Sequence, residues 1–186
     1  MNRNNNILAL YTYFAKFVTQ EVRNKQVIKK SLSKQNDYAG FAQELEDIPE
    51  TDAIAEIEDY IFSINANYVS NVVRNSKGYL LFVEYGIVDI DKEAGNDRSQ
   101  MVVAISVAHE VASSNSDMLE EILISQSCFD ILKKILDKMY EDYESPESCQ
   151  EMEFVEYPVE FYPIMPTEFF GRGGWTAMLK TGRILP

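Results

Sequence analysis

The stretch "FFGRGGWTAMLKTGRILP" (169–186) sets glycines on both sides of Arg172 and follows them with Lys180 and Arg183. Glycines beside basic side chains could cradle a phosphate, because the N–H groups at a helix start then point at the anion. That chemistry needs a strand before the loop and a helix behind it. The stretch lacks the Lys-Ser/Thr ending of a P-loop and the G-x-G-x-x-G spacing, and the six residues after Lys180 leave no room for a helix. The expectation is a tight turn into a strand.

"DIDKEAGND" (89–97) places acids at the first, third and fifth positions from Asp89, as a calcium loop would. The glycine, however, falls seventh instead of sixth, and the twelfth position is Gln100, which cannot chelate as a bidentate Glu does. A solvated hairpin tip is expected. His109 is the only histidine, and no Ser or Cys stands beside it in a nucleophile signature. One His with Cys128 and Cys149 is too few for zinc. Thirty acids leave a carboxylate pair or a magnesium site open, yet that abundance makes any chosen pair uninformative. No catalytic constellation, cofactor site or metal site is expected, and the chain reads as a non-enzyme.

The net charge of -13 is unevenly placed. Residues 1–36 carry seven Lys or Arg against one acid, and residues 37–186 carry ten against 29. The body should repel nucleic acid, while the basic first segment could meet an acidic surface or simply be a solvated helix face. With 46% apolar residues the chain can bury a sizeable core. Its two cysteines suit a reducing, cytosolic setting. The start shows no cleavable signal, and the apolar run from Ile7 is broken by Lys16 and Glu21, too charged to span a membrane.

Elements must place these residues. Ile7, Leu10, Tyr11, Phe14, Phe17, Val18 and Val22 recur at helical spacing and predict a long amphipathic helix over about 6–34. Residues 37–59 turn acidic around Pro49 and read as a surface insertion. "DYIFSI" (59–64) predicts a short strand and "NANYVSNVV" (65–73) a short helix. "YLLFVEYGIVDI" (79–90) and "QMVVAISVAHEV" (100–111) predict a long hairpin with a charged tip. In its second strand one face holds Met101, Val103, Ile105, Val107 and His109. The other holds small residues that suit close approach of a helix or another chain. A helix is expected over 117–143, with Leu119, Ile122, Leu123, Phe129, Leu132, Ile135 and Met139 on its apolar stripe and a possible break at Ser127–Asp130. Strands over 151–161 and 174–182 complete a single α+β domain, an antiparallel sheet packed against two main helices.

That order of elements in a small acidic chain resembles the tail-terminator and tail-completion proteins of bacteriophages. It is also similar to the neck ring proteins of crAss-like phages. The resemblance rests on the hairpin sequence 79–111, the helix 117–142 and the strands 151–161 and 174–182. It implies a ring-forming structural protein of the virion, assembled in the host cytoplasm. Such a ring meets portal, neck or tail proteins, touches no membrane, and lets DNA pass through its lumen without specific binding. It implies subunit or lumen contacts at the hairpin tip, Asp91, Lys92, Glu93, Asp97 and Arg98. Docking to neighbours is expected at Lys25, Lys29, Lys30, Arg172 and Trp175. A competing class is an acidic protein-binding module such as a DNA mimic, against which the basic first 36 residues count.

Overall fold

The computed structural model describes residues 6–27, 37–91, 98–111, 118–144 and 159–181, with backbone alone at Asn6, 87–91, 98–101, Tyr143, Lys180 and Thr181. Lys29, Lys30, Lys92, Glu93 and Asp97 lie outside the described residues, as does most of the strand expected over 151–161. Five strands form one sheet in the order β1-β2-β3-β5-β4. They are β1 (Ile57–Phe62), β2 (Tyr79–Asp91), β3 (Arg98–Glu110), β4 (Glu160–Ile164) and β5 (Arg172–Thr181). The sheet is mixed, not purely antiparallel as expected, because β1 runs parallel to β2. Parallel neighbours need a crossover, and α4 (Ala66–Asn75) supplies it. The other three pairings are antiparallel, so the α+β class expected from the sequence is the one observed.

Register aligns side chains in rows across the sheet. Val83, Ile105 and Ala177 pair in one row, and Leu81, Val107 and Trp175 in the next. This large-residue face meets α5 (Met118–Glu144) through Cys128, Ile131, Leu132 and Ile135, and the α1 side chains Leu10 and Phe14 join the same core. Each fully buried aliphatic side chain here contributes roughly 1.5–3 kcal/mol. The opposite face is smaller. There Val69 and Val73 of α4 cover Ile61, Leu80 and Phe82, and Phe169 stacks on Phe82 with ring centroids 5.8 Å apart.

Three expectations are corrected. The first helix is not continuous over 6–34: α1 (Asn6–Ala15) stops, and α2 (Gln20–Gln26) restarts behind the N-cap Thr19. Apolar periodicity runs through the break because Phe17 and Val18 stay buried, while the Arg23 guanidinium folds back onto the carbonyls of Ala15 and Val18. The acidic stretch is not wholly surface either. It contains α3 (Tyr38–Glu46), whose Ala42 and Leu45 are buried, and Ile57 enters the core at the start of β1. Finally, α5 runs unbroken through 127–130, since Ser127 bonds to the Leu123 carbonyl within the helix.

Candidate functional site

The glycine-rich stretch serves packing, and its arginine points inward. Phe170 (φ 54°) and Gly171 (φ 81°) turn the chain into β5, and the Gly171 N–H closes the turn on the Pro166 carbonyl at 2.8 Å. Arg172 was expected at a neighbour but is only 2% exposed. Its Nε, Nη1 and Nη2 donate to the carbonyls of Val73, Gly78 and Ser76 at 3.3, 2.9 and 2.6 Å. Those carbonyls end α4 and lead into β2, where a cation complements the helix dipole. Burial lowers the Arg172 pKa, and nearby Glu110 and Asp59 oppose that shift. Two residues on, a Cβ at Gly174 would run into the Val107 carbonyl oxygen and lie 2.8 Å from the Ala108 Cα. No side chain fits there, so the glycine allows close strand approach and not anion binding.

Trp175, the other expected docking residue on β5, is also used internally. Its Nε1 donates to Ser125 Oγ at 3.0 Å, and its ring meets Phe129 edge-on. Lys25 donates to the Glu58 carbonyl at 2.8 Å and pairs with Asp59 at 3.7 Å. Lys16 pairs with Asp142 and, at 3.5 Å, with Asp52. The basic first helices therefore meet acids of residues 52–59 in their own chain. Charge asymmetry along the sequence signalled an attraction, but proximity in the fold assigned its partner.

A charged cluster joins α1, the 50–52 loop and the last turns of α5. Tyr13 donates to Asp142 Oδ2 at 2.8 Å, Lys16 bonds the same carboxylate, and Lys138 reaches Asp52 at 3.5 Å and Glu141 at 3.2 Å. Burial first, then the hydrogen bond to Asp142, raises the Tyr13 pKa. Two lysines bridge Asp52, Asp142 and Glu141, so the cluster fastens α1, the 50–52 loop and α5 together.

Of the remaining chemical candidates, Cys149 and residues 92–97 lie outside the described residues, and His109 and Cys128 are held in packing. The His109 ring lies 4.6 Å from the Tyr79 ring, and Nδ1 is 2.8 Å from the Glu110 carbonyl oxygen. The Cys128 thiol is buried and pushed up to about 12 by that burial, which withholds the thiolate. Among the described residues no three of His, Cys, Asp and Glu come together to hold a metal ion. No described helix is long and apolar enough to cross a membrane.

Surfaces remain. Leu119, Ile122 and Leu123, expected on the packed stripe of α5, are 54–59% exposed, and Met118 beside them is 74% exposed. Periodicity could not show this, because the first turns of α5 carry the same pattern as the turns that reach the sheet. On the opposite face Phe170 and Met165 are exposed as well. No family model, no curated protein and no solved structure matches this chain. A functional reading rests on these surfaces and on the hairpin.

Proposed function

We propose that this chain is a structural subunit of a phage head-to-tail neck, a tail-terminator-like ring around the DNA channel. The observation that carries the reading is the reach of the β2–β3 hairpin. β1 accompanies β2 only to Val83, and β5 accompanies β3 only from Met101 onward. The pairs Asp89↔Gln100, Ile90↔Ser99 and Asp91↔Arg98 extend past both neighbours. A two-stranded ribbon is marginally stable alone in water, so such an extension is best supported by contact with another molecule.

In a ring, arms from many copies project together into the lumen or onto the next ring. Asp91 and Arg98 form the last described pair of the arm. The net charge of -13 suits a conduit, since neutralising phosphates is what holds DNA tightly. The partners are further copies of the chain and the portal, neck or tail proteins above and below.

Negative-stain microscopy and native mass spectrometry test the reading. Rings with a central channel are expected. Replacing residues 92–97 by Asn-Gly should leave the subunit folded but impair stacking or genome retention, because that turn closes hairpins well. A chain that forms no ring and instead binds a nucleic-acid enzyme one-to-one would establish the DNA-mimic class in its place.

A further inference from the structure

Two exposed apolar surfaces lie on opposite sides of the sheet. The first is a hollow of about 300 Å³ lined by Tyr79, Leu119, Glu120, Leu123, Ile124 and Ser127. It belongs to the side covered by α5. Exposed Met118 and Ile122 adjoin it in sequence, and Glu120 is its only charged lining residue among the described residues.

The second surface is the turn before β5, on the side covered by α4. Met165 accepts from the N–H groups of Glu168 and Phe169, and Phe169 stacks on Phe82, so the turn is firmly seated. Phe170 stands next to it in the left-handed region at φ 54° and is 45% exposed. A bulky residue is strained there, so folding alone would favour glycine or asparagine. The Arg74 guanidinium carbon sits 5.6 Å from the Phe170 ring centroid. Lys77 and Glu168 are exposed nearby in sequence. Among the described residues neither Arg74 nor Glu120 makes an ion pair.

We propose that Phe170 and Arg74 of one subunit seat in the hollow at the start of α5 on a second copy of this chain. Phe170 fills the apolar floor, and Arg74 meets Glu120 at the rim. An aromatic knob beside an arginine is the composition of an interface hot spot, and an apolar hollow with one carboxylate is its complement in polarity and charge. The two surfaces face apart, so they cannot meet within one chain. Joined between copies they make a head-to-tail contact, which closes into a ring or continues as a filament. This inference rests on the self-assembly proposed above and names the surfaces that carry it.

Sedimentation and native mass spectrometry across micromolar to sub-millimolar concentration test it. Phe170→Gly should weaken self-association by roughly thirty-fold or more. Its melting temperature should hold or rise, because glycine suits the backbone there. Arg74→Glu and Glu120→Arg should each weaken assembly, and the doubly swapped chain should regain it. If the wild type assembles and the single variants match it, this interface is wrong while self-assembly stands. If the wild type stays monomeric throughout, both proposals fall. Failure of the double swap to recover assembly would overturn the pairing of Arg74 with Glu120.

Discussion

Arg172 Nη2 donates to the carbonyl of Ser76 at 2.6 Å, across 96 residues of chain. Ser76 is the C-cap of α4, so the first residue of β5 holds the end of the helix that crosses from β1 to β2. Arg23 repeats the device at α1, donating to Ala15 and Val18 and, through Nη2, to Ile48 at 2.9 Å. Its Nε is the one described buried side-chain polar atom without a partner. Both arginines are 2% exposed. They act as internal clamps on helix ends.

Arg172→Met should lower unfolding stability by about 3–5 kcal/mol, since it orphans buried carbonyls and removes a charge that faces Glu110 and Asp59. Urea unfolding measures this. A loss under about 1 kcal/mol would show that those carbonyls find water or new partners.

The glycines should rank by environment. Gly174→Ala, with its Cβ against the backbone of Val107 and Ala108, should prevent folding or cost several kcal/mol. Gly171→Ala, at φ 81° in open space, should cost about 1–2 kcal/mol. Gly40→Ala, within α3 with nothing within 4 Å, should stabilise by roughly 0.5–1 kcal/mol. Thermal melts of the three variants check the order, and a well-folded Gly174→Ala would contradict the close strand approach.

Alkylation of Cys128 should track unfolding. Its thiol is buried, lies 3.8 Å from the Gly173 carbonyl oxygen, and has a pKa raised to about 12. At mildly alkaline pH the native chain then holds almost no thiolate there, whereas an unfolded cysteine near 8.5 reacts readily. Peptide-resolved mass spectrometry with iodoacetamide measures it. Rapid labelling of Cys128 without urea would refute the burial.

Buried tyrosines should set an alkaline limit. Burial raises the pKa of Tyr11, Tyr13 and Tyr60, and Tyr60 donates to the Tyr11 carbonyl at 3.1 Å. Because the folded values lie above the unfolded value of about 10, their contribution is complete below that pH and is withdrawn as pH rises beyond it. Phenolate absorbance for these residues should therefore appear together with loss of circular dichroism. Full, reversible ionisation of all eleven tyrosines in a folded chain would refute it.

Local pattern was enough for the β2–β3 hairpin, for α4 and for the extent of α5. Period-two and period-3.6 spacing are properties of neighbours in the chain, and burial on one face preserves them. The small, Gly-rich character of 171–174 likewise announced a turn into a strand. What the sequence could not assign was the partner of each surface. β5 lies between β3 and β4, β1 runs parallel to β2, and Leu119 to Leu123 overhang the sheet although their spacing matches that of Leu132 and Ile135. Arg172 and Lys25 looked like free charges beside flexible or basic sequence, yet each is held by carbonyls distant in the chain. Desolvation and hydrogen bonding act between groups brought together in space, so only the packed structure decided which charges turn inward and which apolar side chains stay outside.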